Sequence, residues 1–380
     1  MSRTYRSIAL LTFALLIAGG GAPLRGATWN NIGSDWTTAG NWTGGVPTNN
    51  DTAVLPSSAT PVNPNLASSQ TVAGLTIDNT AGSYNVTQTG TPSLTLRYGG
   101  LQVTGGGATS IAPNVIISGG QNWNVGTATV TLQGNLTIGN GDSFQKAGSG
   151  TLNIQGTFHL GNPQSQFVNT AGTTRVQGVF DSNGNSPQAI VNGGSLLVNS
   201  TGGNNNQVTV SLNGGTLGGI GAVGAVTANG GATLAPGDPG TGYQAGLLQT
   251  QSLISNGAGY IVDIGGLTPG DGGFGFHDQL SVTGTVTLNG GPLTVNLFDG
   301  FTPNYNQQFT IITSTGTRSG TFNGLADGAV FTQAGQQWRI NYFTNSVVLT
   351  AVPEPTTLAF LGVSALGCLG YAWRRRAVSG

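Results

Sequence analysis

Short runs of β-forming residues, each closed by glycine or asparagine, recur along the middle of the chain and constrain its fold more than any other feature. Examples are Leu94-Thr95-Leu96, Val115-Ile116-Ile117 and the segment 208–212. Such runs alternate in polarity or are rich in β-branched residues, and they stop at turn residues, which is typical of strands. No long amphipathic helix pattern occurs between Trp29 and Ala351. The sequence therefore predicts an all-β body.

A repeated turn signal indicates how the strands are arranged. The tripeptide Asn-Gly-Gly recurs at Asn192, Asn213, Asn229 and Asn289, and its first two intervals are 21 and 16 residues. Asn-Gly supplies the positive φ angles of tight turns, so its recurrence marks places where the chain bends in a corresponding way. Intervals of this size fit one turn of a parallel β-solenoid, whereas the hairpins of a β-sandwich favour spacings of about 8–12 residues.

We therefore predict a right-handed parallel β-helix, or solenoid, over residues 71–245. An N-terminal β cap is expected over residues 28–70. The region 246–350 contains longer strands and more aromatic residues, and we expect it to cover the last open edge of the solenoid.

The N-terminus has the order of regions found in secretory signal peptides. Arg3 and Arg6 make a positive start, Ile8 to Ala18 is an apolar run, and small residues follow up to Ala27. The apolar run is too short to span a bilayer, which needs about 20 residues. Residues 1–27 are therefore predicted to be a signal peptide that directs export.

The C-terminus predicts a membrane anchor. Thr356 to Trp373 is an uncharged, mostly apolar stretch of 18 residues, which as a helix would extend about 27 Å and nearly match the hydrocarbon core. Arg374, Arg375 and Arg376 follow at once, and such a cluster stays on the cytoplasmic side. We predict a transmembrane helix over residues 356–373 with the arginines as a stop-transfer signal.

The segment before this helix completes a known pattern. Pro353, Glu354 and Pro355 hold the chain extended at the outer boundary of the membrane, and Glu354 is the only glutamate in the chain. The order of Pro-Glu-Pro, apolar helix and arginine cluster over residues 351–380 resembles the PEP-CTERM sorting tail of Gram-negative bacteria. The resemblance implies that these three residues are recognised by an exosortase, a membrane protease-transpeptidase. A plain C-terminal anchor with a proline linker is the alternative.

Parts of the body resemble another group of exported proteins. The segments 214–221, 229–237 and 277–284, together with the Trp-rich opening from Ala27 to Pro47, look like the β-helical passenger regions of autotransporter-like surface proteins. An autotransporter ends in a membrane β-barrel, whereas this chain ends in the apolar helix. Export is therefore expected to use the general secretory route followed by sorting.

The charge distribution excludes several partners. Between Ala27 and Ala351 the chain has five basic residues and eleven aspartates. A body so poor in basic residues is not expected to bind nucleic acid or to attach peripherally to anionic lipid. Cys368, the single cysteine, lies in the apolar tail, so the body has no disulfides.

Few residues are candidates for chemistry. The segment 272–278 nearly matches a calcium-binding nonapeptide, with Asp271 and Asp278 as candidate metal ligands, but the Asp is one place late and the segment occurs once. His159 is expected to be a strand side chain. Trp29, Trp36 and Trp42 could stack on sugars or form a cap core.

No paired-carboxylate motif or phosphate loop occurs, so we predict no enzymatic activity and no cofactor. The predicted function is that of an exported structural or interaction protein. Its precursor would be anchored in the inner membrane, and the product would lie at the cell surface or in the extracellular matrix, such as a biofilm. Expected partners are an exosortase and extracellular polysaccharide. A carbohydrate-binding or carbohydrate-active β-helix and a calcium-dependent adhesin are the alternatives.

Overall fold

Strands account for almost all regular structure in this protein. The structure is a computed structural model, and it describes residues 25–139, 141–182, 188–200, 208–270, 272 and 275–353. Within these residues there are 38 β-strands and two short 3₁₀ helices, Ala39–Asn41 and Pro239–Thr241. The prediction of an all-β body is confirmed for the described residues.

The first strands are β1 (Arg25–Trp29), β2 (Trp42–Thr43), β3 (Asp51–Leu55), β4 (Asn65–Leu66), β5 (Gln70–Asp78), β6 (Asn85–Gln88), β7 (Ser93–Thr104), β8 (Ala108–Ile111), β9 (Asn114–Ile117), β10 (Gln121–Asn124), β11 (Thr129–Leu132), β12 (Leu136–Ile138) and β13 (Ser143–Ala147). They are followed by β14 (Thr151–Ile154), β15 (Phe158–Leu160), β16 (Gln166–Asn169), β17 (Thr173–Val176), β18 (Phe180–Ser182), β19 (Gln188–Val191), β20 (Ser195–Val198), β21 (Thr209–Leu212), β22 (Gly215–Gly219), β23 (Ala222–Val223), β24 (Val226–Asn229), β25 (Ala232–Pro236) and β26 (Leu247–Thr250). The last are β27 (Leu253–Asn256), β28 (Gly259–Ile264), β29 (Thr268–Pro269), β30 (Phe276–His277), β31 (Gln279–Val282), β32 (Val286–Asn289), β33 (Leu293–Leu297), β34 (Gln308–Ser314), β35 (Arg318–Thr321), β36 (Val330–Gln333), β37 (Gln336–Phe343) and β38 (Ser346–Val352).

The chain coils so that successive turns stack three columns of parallel strands, which we call faces 1, 2 and 3. Face 1 contains β1, β3, β10, β13, β16, β19, β21, β24, β27, β32, β35 and the second halves of β5 and β7. Face 2 contains β4, β6, β8, β11, β14, β17, β20, β22, β25, β28 and β33.

Face 3 contains the first halves of β5 and β7, then β9, β12, β15 and β18. In the later turns β23, β26, β31 and β34 take the same third place and pair with one another in parallel. Parallel sheets of this kind are consistent with the predicted solenoid. Parallel pairing on face 1 runs from β1 to β35, so it includes residues on both sides of the predicted range 71–245.

The turns of the coil differ in length. Paired residues on face 1 are 23 apart at Phe144 and Phe167, 16 apart at Val210 and Val226, and 33 apart at Leu253 and Val286. Because alternate side chains of a strand point to opposite sides, one set on each strand faces the interior, and most of that buried set is apolar. In the longer turns of the coil the extra residues form segments between strands, such as 237–246. The hydrophobic core inside the coil stays continuous.

Aromatic side chains fill the middle of the coil. Phe144 lies 4.6 Å from Trp123 and 5.4 Å from Phe167 between ring centroids, and Phe158 stacks on Phe180 at 5.2 Å. These residues are fully buried, and they lie on strands of successive turns of faces 1 and 3. Each turn therefore depends on its neighbours for burial of its large side chains, as expected of a solenoid.

Tryptophans close the N-terminal end. Trp42 makes edge contacts with Trp29 and Trp36 at centroid distances of 4.8 and 4.9 Å, and its Nε1 donates to the backbone oxygen of Trp36. Each of the three is at most 3% exposed. Of the two interpretations of these tryptophans, packing in a cap core is therefore correct, because buried rings cannot stack on a sugar.

An antiparallel sheet closes the C-terminal end. β38 lies between β34 and β37, and β36 pairs with β37. The side chain of Gln333 accepts a hydrogen bond from Val295 N and donates one to Leu293 O, at 2.6 and 2.9 Å. The amide thus takes the place of a neighbouring strand beside β33, which is the last strand of face 2.

Candidate functional site

Strand β38 leads directly into the predicted recognition segment. Its residues from Val347 to Val352 are buried, and the strand is paired on both sides. Pro353 follows Val352 at once and lies outside the strand. Because proline has no backbone N–H, it cannot continue the ladder of hydrogen bonds. The Pro-Glu-Pro segment therefore begins at the surface of the folded body with no linker.

The end of β38 is held by three hydrogen bonds beyond its strand pairing. Asn306 N donates to Ala351 O at 2.8 Å, and Ala351 N donates to Gln307 O at 2.9 Å. The side-chain amide of Gln336 donates to Val352 O at 2.9 Å. Strand pairing on both sides and these three bonds hold the last residues before the recognition segment, so the position from which the tail leaves the body is well defined.

Comparison with known proteins decides the nature of this tail. A family model described as the PEP-CTERM protein-sorting motif matches residues 351–376. The tail is a PEP-CTERM sorting motif. It indicates that the protein is exported as a membrane-anchored precursor and sorted by an exosortase. A search of curated proteins found no match to the chain.

The PEP-CTERM match covers the tail alone, so the resemblance of the body to autotransporter-like passenger regions stays a prediction from the sequence. Glu354, Pro355 and the arginines at 374–376 lie outside the described residues, as does the predicted transmembrane helix. Among the residues that the structure does describe, no helix has the length and apolar character needed to cross a membrane. The roles of individual tail residues therefore stay predictions from the sequence.

Asp278, one of the two candidate metal ligands, is a buried brace between backbone segments. Its two carboxylate oxygens accept hydrogen bonds from Gly246 N and Asp263 N at 2.7 and 2.8 Å, and the residue is 1% exposed. Burial raises its pKa well above the usual value, the two backbone donors oppose this, and the neighbouring Asp263 carboxylate adds to it. Its oxygens join the segment at Gly246 to strand β28.

The surroundings of Asp278 offer few further ligands. Asp271 lies outside the described residues. His277 is buried against Phe309, and its Nδ1 lies 3.2 Å from Gly266 O. Burial lowers the pKa of His277, so a neutral ring that donates from Nδ1 suits this position. In the described part of the chain no group of three or more His, Cys, Asp or Glu side chains could hold a metal ion.

His159 lies on face 3 in β15, as the strand pattern predicted. Its Nδ1 is 3.3 Å from Oδ2 of Asp181, which occupies the corresponding position of β18 one turn further along. Both side chains are partly exposed, at 21% and 26%. The pair is a cross-strand contact of the kind that links neighbouring strands, and surface pairs of this kind contribute little to stability.

Asparagine side chains form a continuous ladder along one edge of face 1. Asn213 donates to Asn192, Asn229 to Asn213, Asn256 to Asn229 and Asn289 to Asn256, with Nδ2–Oδ1 distances of 2.9–3.2 Å. The four Asn-Gly-Gly sites thus lie at corresponding bends, which confirms that prediction. The fifth member, Asn256, was missed because it precedes Gly-Ala.

The ladder leaves hydrogen-bonding capacity free on a surface that is mostly exposed. An amide has two N–H donors and an oxygen with two lone pairs, and each internal rung uses one donor and one acceptor. Each internal amide therefore keeps one donor and one lone pair beyond the ladder bonds, and successive amides follow the spacing of strands, about 4.8 Å. Such an edge can bond to hydroxyl-rich neutral molecules without any charge.

The chain's only lysine is buried in a corner of the coil. Its Nζ donates to the backbone oxygens of Gly148, Gly150 and Ala171 at 3.1, 2.6 and 2.6 Å. Burial lowers the pKa of Lys146 from 10.5 to about 8. The ammonium group thus joins two successive turns, a role that the sequence offered no signal to predict beyond the rarity of lysine.

The lysine makes stability depend on pH in a defined direction. The unfolded chain keeps its proton to a higher pH than the folded chain, so folding becomes more favourable as the pH rises above about 8. We expect the free energy of unfolding to rise by about 1–2 kcal/mol between pH 8 and pH 9.5. Urea denaturation at a series of pH values, monitored by circular dichroism, measures this rise.

Lys146→Met is the matched variant for this measurement. It should be less stable at every pH because three carbonyl oxygens lose their donor, and its stability should not rise between pH 8 and pH 9.5. Both proteins have the same tyrosines. The pH series stays below the usual tyrosine pKa of 10.0, so tyrosine ionisation contributes little to the change in stability. Equal slopes for wild type and variant would contradict the assignment to Lys146.

Proposed function

We propose that this protein is a structural or interaction component of the cell surface or extracellular matrix, delivered there by processing at its PEP-CTERM tail. The match at residues 351–376 carries the proposal. It is supported by the closed ends of the coil, which favour a free-standing body after the tail is removed. Pro353, Glu354 and Pro355 would be the segment that the exosortase recognises, and Arg374–Arg376 would retain the precursor in the membrane.

We further propose neutral extracellular polysaccharide as the partner of the body. The observation that favours it is the asparagine ladder, whose uncharged amides are mostly exposed and have more donors and lone pairs than the ladder bonds use. The neighbouring column of face 1 is mixed: it contains the hydroxyl side chains of Ser211, Thr227 and Thr287 and the apolar side chains of Ile190 and Ile254. A long polar, uncharged edge of this kind suits a polymer of hydroxyl groups better than a charged ligand.

The proposal assigns no catalytic step to the body. Asp263 and Asp278 are neighbouring carboxylates, the arrangement that glycoside hydrolysis would need. Both are at least 92% buried, however, and Asp263 accepts hydrogen bonds from the amides of Gln244 and Asn296. Their oxygens are engaged in bracing the fold, which supports a structural role over an enzymatic one.

The test is processing in the native host, with Glu354→Ala beside the wild type. We expect the wild type to lose the segment after the recognition motif, as measured by intact mass, and to appear outside the cell. The Glu354→Ala precursor should stay at full length in the inner membrane, because the only charge of the recognition segment is gone. Co-sedimentation of the released wild type with matrix polysaccharide tests the partner.

Asp299→Asn is the matched control for this experiment. Asp299 is an exposed acidic residue at the same end of the body, and asparagine tolerates its positive φ of 52°. The control should be processed like the wild type. If wild type and Glu354→Ala both remain at full length in the membrane, the tail acts as a plain anchor and the proposal is wrong.

A further inference from the structure

The place where the tail leaves the body also brings one loop close to the membrane. Only Pro353, Glu354 and Pro355 separate Val352 from Thr356, where the apolar stretch begins. Four residue steps of extended chain span at most about 14 Å. The interfacial layer on each side of the hydrocarbon core is roughly 5–8 Å thick. In the anchored precursor the end of β38 therefore lies in this layer or just above it.

The loop before β34 shares this end of the body. Asn306 N donates to Ala351 O, and Gln307 O accepts from Ala351 N, so the segment 302–307 is bonded to the last residues of β38. Its tip has Tyr305, which is 71% exposed and is the most exposed tyrosine or phenylalanine among the large apolar side chains left on the described surface.

The chemistry of this loop suits a lipid interface. Between Phe298 and Gln307 the only charged residue is Asp299, and the rest are aromatic, small or amide side chains. Tyrosine is enriched at membrane–water boundaries, because its ring is apolar and its hydroxyl can bond to headgroups and water. This loop has no lysine or arginine. Its contact with the membrane would therefore depend on the anchoring C-terminal stretch and on the ring of Tyr305, and not on attraction to anionic lipid.

We propose that the segment 302–307 rests on the outer surface of the inner membrane in the precursor, with Tyr305 in the headgroup layer. This rests on the proposed function, which supplies the anchored tail. The contact gives the precursor a second point of attachment and holds the recognition segment between the body and the bilayer, within reach of a membrane-embedded enzyme. A single tyrosine binds weakly by itself, so the contact ends when the tail is removed.

The test uses the full-length precursor in vesicles of phosphatidylethanolamine and phosphatidylglycerol. With Cys368→Ser as the background, Tyr305→Cys is labelled with a polarity-sensitive fluorophore. Tyr98→Cys is the matched control, because Tyr98 is also exposed, at 51%, but lies in β7 near the opposite end of the coil. We expect blue-shifted emission and quenching by headgroup-labelled lipid at position 305, and neither effect at position 98.

Flotation of the vesicles separates the two proposals. A precursor that does not float with the vesicles would contradict membrane anchoring and with it the proposed function. A precursor that floats but shows no quenching at position 305 would leave the anchor intact and overturn the loop contact. Equal quenching at positions 98 and 305 would also overturn it, because the body would then lie along the membrane.

Discussion

Replacing Gly194 by alanine is expected to lower the free energy of unfolding by at least about 3 kcal/mol. Gly194 has a φ of +66°, and a Cβ atom there would lie 2.1 Å from the backbone oxygen of Gly172 in the turn below. The left-handed conformation by itself costs an alanine about 1–2 kcal/mol. The remainder is the cost of moving two stacked turns apart, because the clash is with backbone and cannot be relieved by a rotamer change.

Gly90→Ala is the matched control for this variant. Its φ is +77°, but nothing lies within 4 Å of the added Cβ, so it should lose only the conformational part of about 1–2 kcal/mol. Urea denaturation of both variants measures the difference. Equal losses would mean that the turns of the coil can separate freely at this corner, and that the close stacking of Gly172 and Gly194 is not required.

Replacing Asp238 by alanine is expected to destabilise the protein by about 3 kcal/mol, because it leaves the mostly buried guanidinium of Arg175 without its partner. The carboxylate is 1% exposed and accepts hydrogen bonds from Nε and Nη2 of Arg175 and from the amide of Asn199. These contacts fasten the segment 237–246 over face 2. Thermal and urea denaturation measure the loss.

A double-mutant cycle separates the ion pair from simple packing. Arg175→Leu together with Asp238→Ala should lose less stability than the sum of the two single variants, because neither charge is then left alone. Additive losses would show that the two side chains do not act as a pair.

The pKa of Asp238 adds a pH dependence to this pair. Burial raises that pKa, but the bonds from Arg175 and Asn199 outweigh burial and hold it below 3.8. The stability from the pair is therefore fully present above about pH 4 and is lost as the pH falls below it.

The two ends of the chain could be interpreted from the sequence because their signals are local. The apolar stretch from Thr356, the proline-flanked Glu354 and the arginines at 374–376 are adjacent in the chain, and the family match falls on the same residues. The all-β fold class could also be predicted from the sequence. Polarity along a strand alternates with a period of two residues, and the turns between strands have characteristic residue types.

Contacts between turns were harder to predict because the turn length is not constant. Arg175 and Asp238 are 63 residues apart, and nothing near either residue indicates the other. Lys146 finds three carbonyl oxygens only because Gly150 and Ala171 meet at one corner. Asn256 joins the ladder although the tripeptide that marks its neighbours is absent there.

The sequence by itself determined that this protein is a β-structure with turns at Asn-Gly sites and a sorting tail at its C-terminus, because each of those properties depends on neighbouring residues. The tertiary structure alone decided which side chains meet across turns, which carboxylates are buried as braces, and that β38 delivers the recognition segment without a linker. The physical reason is that strand stacking brings together residues 16 to 33 positions apart, and the lengths of the intervening segments set that register.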